Sequence, residues 1–171
     1  MISEFKHILL SGKPCMIHDD FKPCMDLFCR YLELTGCSAL INSSYRPDTN
    51  VNGAIVKPAT KGNHLVGCAI DCNILDKKMV LWTSAMLRVF CPELPEFNPK
   101  INNEVLTLIN LVRRSHTLRW GGDFHPDRKG NTDPVHFDNA INIRSPKRWQ
   151  EIYDEIHNPQ QPVPPMPDVA L

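Results

Sequence analysis

Residues 68–74 alternate strictly between two kinds of side chain, and this alternation constrains the fold more than any other feature of the sequence. One face of the segment holds Cys68, Ile70, Cys72 and Ile74, and the other holds Ala69, Asp71 and Asn73. A period of two residues is typical of a half-buried β-strand. The pattern therefore predicts a strand that turns an apolar face to the core and holds the Asp71 carboxylate on its polar face.

Four other segments carry apolar residues at helical spacing. We expect helices over 20–35, 79–90, 100–114 and from 146 onward, since their apolar side chains recur every three or four positions. Asp19 or Asp20 can cap the first helix, Gly36 can end it, and Ser145 with Pro146 suits the start of the last. The supporting apolar residues are Phe21, Met25, Phe28 and Leu32; Met79, Trp82, Met86, Val89 and Phe90; Ile101, Val105, Leu108 and Val112; and Trp149, Ile152, Tyr153 and Ile156.

Short strand-like patterns over Ser38–Asn42, Arg119–Phe124 and Val135–Phe137 complete the predicted elements. Helices and strands in this order favour an α+β domain, with a small antiparallel sheet and flanking helices, over residues 1–157. Residues 158–171 contain five prolines and no core pattern, so we predict an extended, mobile tail there.

Composition excludes several classes of protein. The 171 residues suit one domain, and 19 basic side chains balance 19 acidic ones, which argues against a nucleic-acid binder. No apolar run is long enough for membrane insertion, and the N-terminus lacks the pattern of a secretory signal peptide. The seven cysteines include no Cys-x-x-Cys pair, so we expect reduced, buried thiols in a monomer made in the cytoplasm.

Three residues distant in sequence suggest a metal site. His64 and Asp71 would face opposite ways in one straight strand, but a turn at Gly67 can bring both side chains to one side. His136 lies between Val135 and Phe137, whose inward side chains would turn the imidazole outward. Two imidazoles and a carboxylate form a three-ligand set that leaves a fourth zinc position open for water, as catalytic sites do.

Asp133 lies three residues before His136, and a bend at Pro134 would bring its carboxylate close to the metal. There it could accept a proton from metal-bound water. Taken singly, each of these residues has an ordinary structural explanation, and Asp133-Pro134 alone is a common turn. Their combined spacing is what favours a site.

The segment from Gly62 to Asp71 resembles the pattern Ser-x-His-x-x-Gly-x-Ala-x-Asp, with glycine at the Ser position. That pattern belongs to the zinc D-alanyl-D-alanine carboxypeptidases and dipeptidases and the L-alanyl-D-glutamate endopeptidases of phage lysins. This family shares its fold with the amino-terminal signalling domain of Hedgehog proteins. Asp133 to Phe137 resembles the family's later motif, and Trp120-Gly121-Gly122-Asp123 is similar to its endopeptidase branch. Ser43 to Pro47 is similar to its Ser-x-Tyr-Arg segment.

The resemblance spans residues 40–140 and implies a role for each matched residue. His64, Asp71 and His136 would bind Zn²⁺, and Asp133 would be the general base. Arg46 would bind a substrate carboxylate or stabilise the developing oxyanion, with Tyr45 beside it in the substrate site. The roles of three further residues stay open. Trp120 belongs either to the core or to the wall of the substrate groove. Asp123 and His125 either line the cleft or hold their loop by hydrogen bonds.

The implied function is that of a zinc peptidase that hydrolyses peptidoglycan stem peptides between L-Ala and D-Glu, as a phage or prophage endolysin does. The implied place of action is the cell wall, reached by an export route that the sequence does not name. A D-alanyl-D-alanine carboxypeptidase or dipeptidase is the alternative within the same class. A non-catalytic zinc-containing binding module is the alternative from another class, and the presence of Asp133 favours the enzyme over it.

Overall fold

The computed structural model describes residues 1–49, 60–91, 102–124 and 132–159. Within these residues the chain forms five α-helices and two β-sheets, of two and six strands, so the predicted α+β class is confirmed. The strands are β1 (Ile2–Glu4), β2 (Leu10–Gly12), β3 (Met16–His18), β4 (Ser38–Ser43), β5 (Ala69–Leu75), β6 (Leu81–Trp82), β7 (Arg119–Trp120) and β8 (His136–Asp138). The helices are α1 (Lys22–Thr35), α2 (Ser84–Leu87), α3 (Asn103–Arg114), α4 (Ile141–Arg144) and α5 (Pro146–His157).

The larger sheet has the strand order β2-β4-β5-β8-β7, with β6 paired to the end of β5, while β1 and β3 form the smaller sheet. Most pairings are antiparallel as predicted, but β2 runs parallel to β4. The expectation of a wholly antiparallel sheet is therefore wrong. Helix α1 lies in the connection between these two strands, and such a long crossover allows a parallel pair.

The core lies on the apolar face of β5. Ile70, Cys72 and Ile74 are fully buried, whereas Asp71 and Asn73 on the other face stay partly exposed, as the alternation predicts. Helix α1 packs against α3, and the rings of Phe28 in α1 and Phe137 in β8 lie 4.9 Å apart. Helix α1 thus lies on the apolar side of the sheet, and the polar residues of β5 lie on the opposite face.

The predicted helix over 79–90 is wrong in its first part. The Asp76 carboxylate accepts the backbone N–H groups of Lys78 at 2.8 Å and Val80 at 2.9 Å, which closes a turn between β5 and β6. Met79 has a φ of 61° in this turn and is exposed. Helical structure begins only at α2, because the Asp76 side chain binds the backbone of a hairpin turn before it.

Element boundaries differ elsewhere by a few residues. Neither Asp19 nor Asp20 caps α1; a 3-10 turn precedes it, and the side chain that accepts a backbone bond there is that of His18. Gly36 ends α1 with a φ of 67°, as predicted. The predicted strand from Arg119 stops at Trp120, where a 3-10 turn over Gly121–Asp123 begins. Ser145 precedes α5 without a side-chain capping bond.

All seven cysteines are free and buried, in agreement with prediction, and burial raises the pKa of several, that of Cys15 to about 12. Among the described residues, the helices are too short or too polar to traverse a lipid bilayer. The predictions for Ile101 and for the tail from residue 160 onward lie outside the described residues.

Candidate metal centre

Two of the predicted ligands lie on neighbouring strands in direct register. Asp71 of β5 pairs with His136 of β8, so their side chains leave the sheet on the same face. Phe137 points the other way and is fully buried in the core. Strand pairing therefore fixes the distance between the carboxylate and this imidazole.

The third predicted ligand comes from a 3-10 helix over Asn63–Val66 that leads into β5. Gly67 ends this helix with a φ of 64°, a left-handed conformation that costs glycine little. A Cβ at this position would lie 2.7 Å from the backbone nitrogen of His18, so a side chain is excluded on steric grounds as well. The turn brings His64 over the polar face of β5, as the sequence predicts.

The three side chains converge on one point. His64 Nε2 and His136 Nδ1 each lie 3.0 Å from Asp71 Oδ1, and the two nitrogens lie 3.2 Å apart. Zn–N bonds of about 2.0–2.1 Å would place the ligands of a tetrahedral ion about 3.3 Å apart, close to this arrangement. Both histidines are buried and Asp71 is half-buried. The cluster can therefore hold a metal ion.

Hydrogen bonds on the far side of each imidazole set which nitrogen faces the cluster. His64 Nδ1 lies 2.6 Å from the carbonyl oxygen of Ser44 and donates its N–H there, which leaves a lone pair on Nε2. His136 Nε2 lies 3.0 Å from the Asp138 carboxylate, which leaves Nδ1 free in the same way. With both imidazoles neutral, three acceptor atoms face one another, and either a bound cation or a proton on one of the nitrogens satisfies them. Such outer bonds are usual around metal-binding histidines.

Burial and the charges of neighbouring groups shift the pKa of each of the three side chains. Burial lowers the pKa of His64, because the imidazolium form is desolvated. Burial acts the same way on His136, but its bonds to Asp138 and Asp71 outweigh it and raise the pKa of His136 to about 10. The pKa of Asp71 is well below its usual range: burial alone would raise it, and the two imidazoles reverse that effect. In the metal-free protein a proton on His136 thus takes the place of a cation.

Asp133 lies at the start of a tight turn that leads into β8. Its carbonyl oxygen accepts the N–H of His136 at 3.0 Å, so the chain bends at Pro134 as predicted. Burial raises the pKa of the Asp133 carboxyl, and the nearby negative charge of Asp71 raises it further. The raised pKa makes the Asp133 carboxylate a stronger base than an ordinary aspartate, which suits it to proton transfer.

Gly121 provides the space for this turn. Its carbonyl oxygen accepts the N–H of Asp133 at 2.9 Å. A Cβ on Gly121 would lie 2.3 Å from the Asp133 carbonyl oxygen and 2.8 Å from the Cβ of His136. The residue must therefore be glycine for Asp133 and His136 to keep their positions.

Arg46 and Tyr45 follow the end of β4, and Arg46 lies beside the cluster. Arg46 Nη2 is 3.7 Å from Asp71 Oδ2, and the backbone N–H of Arg46 donates to the carbonyl oxygen of His64 at 3.1 Å. The ring of Tyr45 lies 6.4 Å from that of His157 and is partly exposed. A cation is thus held at the edge of the site.

The other two candidate substrate residues have structural partners. Trp120 is buried, and its indole N–H donates to the carbonyl oxygen of Pro134 at 2.7 Å, which places it in the core. Asp123 binds the Arg113 guanidinium through both oxygens, with a shortest distance of 2.7 Å. These contacts favour the loop-holding alternative for Asp123. His125 lies outside the described residues.

Sequence reasoning missed the residues that surround the ligands. Asp138 is 1% exposed. Its carboxylate accepts a hydrogen bond from His136 Nε2 at 3.0 Å and two from the Arg119 guanidinium at 2.9 and 2.7 Å. Its position two residues after His136 on a strand puts both side chains on one face, a signal that the sequence contains. Ser44 had no such signal, because it contributes only a backbone oxygen.

No protein-family model matches the chain, and the search of curated proteins gave no match either.

Proposed function

We propose that the protein is a zinc-dependent peptidase that hydrolyses the stem peptides of peptidoglycan. The convergence of His64, Asp71 and His136 within 3.2 Å of one another is the observation that carries the proposal. Two imidazoles and a carboxylate are the donors of many catalytic zinc sites, which keep a further position for water. A peptidase also needs a proton acceptor and a cation near the metal, and Asp133 and Arg46 supply these two groups.

Each residue has a distinct part in the proposed hydrolysis. Zn²⁺, when bound, lowers the pKa of a coordinated water to about 7 and polarises the peptide carbonyl. Asp133 would take a proton from the attacking water as the water oxygen bonds to the carbonyl carbon. It would return that proton to the amine nitrogen as the C–N bond breaks. Arg46 stabilises the negative charge that develops on the carbonyl oxygen, or binds a carboxylate of the substrate.

The choice of substrate rests on the resemblance of the sequence motifs to those of cell-wall peptidases with the Hedgehog-type fold. Within that class, the Trp120 to Asp123 segment favours an L-alanyl-D-glutamate endopeptidase of the endolysin type. A carboxypeptidase or dipeptidase would release a different product, so the products of peptidoglycan digestion distinguish the two functions.

Elemental analysis and digestion of purified peptidoglycan test the proposal together. We expect one zinc per chain, and we expect mass spectrometry of the products to show free amino termini on D-Glu. Release of terminal D-Ala would instead indicate a carboxypeptidase, and bound zinc with no product would indicate a binding module. Absence of bound metal after zinc loading would overturn the proposal as a whole.

A matched pair of variants makes the metal measurement specific. His64→Ala removes one ligand and should abolish stoichiometric zinc binding. His116→Ala removes an exposed histidine that lies outside the cluster and should bind zinc as the parent protein does. Equal zinc content in the two variants would show that the metal is bound elsewhere.

A further inference from the structure

We propose that Asn63 is a positioning residue that holds the two ligand imidazoles in register with each other. This inference rests on the metal site of the proposed function, but on neither the zinc identity nor the substrate. Asn63 directly precedes His64 in the 3-10 helix. Its side chain reaches the carboxylate that orients His136. One buried amide thus links the segment that carries one ligand to the group that aligns the other.

The Asn63 side chain is almost completely bonded. It is 3% exposed, and its Nδ2 donates to Asp138 Oδ2 at 2.8 Å and to Asn142 Oδ1 at 3.1 Å. Its Oδ1 accepts the backbone N–H of Asn142 at 3.2 Å. Both donors and one of two acceptor sites of the amide are therefore used. The opposite orientation of the amide would place its oxygen against a carboxylate, so the bonding pattern fixes the side chain in one orientation.

The oxygen that Asn63 binds is the same oxygen that His136 binds. Asp138 Oδ2 receives Nδ2 of Asn63, Nε2 of His136 at 3.0 Å and Nη2 of Arg119 at 2.7 Å. The other oxygen receives Nε of Arg119 and the backbone N–H of Ala140. Each donor restrains the carboxylate in a different direction, and Arg119 balances its charge. Among the described residues, Asn63 is the only residue of the 3-10 helix whose side chain binds the Asp138 carboxylate. Without it, nothing from that helix holds the carboxylate in place.

The geometry explains why a neutral amide suits this position. A carboxylate at residue 63 would put a second negative charge beside the buried Asp138, and burial makes such like-charge contacts costly. A lysine would compete with Arg119 and His136 for the same oxygens. Asparagine donates two hydrogen bonds without adding charge, so the two histidines stay aligned while the charge balance of Asp138 is unchanged.

Metal titration of variants tests this role. Removal of an outer partner of a metal ligand typically weakens metal binding about 10–100-fold. We expect Asn63→Ala to weaken Zn²⁺ binding by at least about tenfold on this basis. Asn142→Ala is the matched control, because it removes an amide bonded to Asn63 but leaves the Asn63–Asp138 bond; we expect less than about a threefold change. Should Asn63→Ala fail to fold, Asn63→Ser keeps a small, uncharged polar side chain that is too short to make the 2.8 Å bond to Asp138.

Nuclear magnetic resonance of the metal-free protein provides a second readout. The buried indole N–H of Trp120 is the reference, because a general loss of stability would speed its exchange as well, whereas a local effect at Asp138 would not. The Nε2 proton of His136 should be protected and visible in the parent protein and in Asn142→Ala, and should exchange rapidly with water in the Asn63 variants. Parent-like zinc affinity and a protected proton in those variants would overturn the inference. If the parent protein binds no zinc, the proposed function fails, and the His136 proton alone decides the role of Asn63.

Discussion

Arg46 Nη2 lies 3.7 Å from Oδ2 of Asp71, while Oδ1 of the same carboxylate faces the two imidazoles at 3.0 Å. The two oxygens of Asp71 thus face different partners, one the metal cluster and the other the guanidinium. Arg46 is held at the rim of the site, where its side chain is 23% exposed and can meet a substrate. Removing its charge should therefore affect catalysis more than metal binding.

We predict that Arg46→Met keeps stoichiometric zinc and lowers kcat/KM for stem-peptide hydrolysis about 100-fold, the usual effect of losing one group that stabilises an oxyanion. Steady-state kinetics on a defined muropeptide measure the change. Arg46→Lys keeps the charge but not the fork of donors, and should retain part of the activity. A parent-like kcat/KM in Arg46→Met would contradict the role given to this residue.

Asp133→Ala should retain zinc and lose nearly all hydrolysis, because general acid–base groups contribute about 10²–10⁴-fold to rate. Asp133→Asn is the closer control, since it keeps the shape of the side chain but accepts no proton. The two variants should be equally inactive when zinc content and product formation are measured on the same samples. Activity in either would show that another group takes the proton.

Zinc binding should release about one and a half protons per ion at pH 7: about one from His136, whose raised pKa of about 10 keeps its imidazole protonated in the metal-free protein, and about half from a bound water with a pKa of about 7. His64, with its lowered pKa, is already neutral and contributes none. Calorimetry in buffers of different ionisation enthalpy counts the protons. Apparent affinity should rise with pH up to about the pKa of His136, and a pH-independent affinity would refute the assignment.

The same shift has a consequence for stability. A raised pKa in the folded state means that protonated His136 stabilises the metal-free fold, fully so below the unfolded-state pKa of about 6.5. This stabilisation is lost as pH rises toward 10. Urea unfolding of the metal-free protein should give a lower free energy of unfolding at pH 10 than at pH 7, and zinc should reduce the difference.

Gly121→Ala should destabilise the fold by about 1–3 kcal/mol, as overpacking of a filled site does. The added Cβ would meet the Asp133 carbonyl oxygen and the Cβ of His136, so zinc affinity should fall as well. Gly62→Ala is the control, because Gly62 has a φ of −73° that any residue adopts. Urea unfolding and zinc titration of both variants separate the effect of Gly121 from that of any added methyl group.

Local patterns in the sequence predicted those parts of the site that depend on neighbouring residues. The alternation around Asp71, the turn at Gly67 and the bend before His136 each follow from backbone preferences within a few positions. The helix predicted over 79–90 failed only in its first part, because Asp76 binds the backbone of its own turn and ends β5 in a hairpin. Apolar spacing alone does not reveal that bond.

Features that depend on long-range pairing were not predictable in the same way. The parallel pair of β2 and β4 requires knowledge of how the crossover through α1 packs. Arg119 reaches Asp138 only because β7 and β8 pair with these two residues opposite each other. Asn63 reaches the same carboxylate across 75 positions of sequence. Such contacts emerge from the assembled sheet, and no local period encodes them.

The direct pairing of Asp71 with His136 means that the alignment of the two strands also sets the geometry of the candidate metal centre. A slip of one residue between these strands would send the imidazole to the opposite side of the sheet and bring Phe137 out in its place. Insertions or deletions inside either strand are therefore incompatible with the site, and so are those between Asp133 and His136, where the turn sets the position of Asp133. Natural length variation should be confined accordingly.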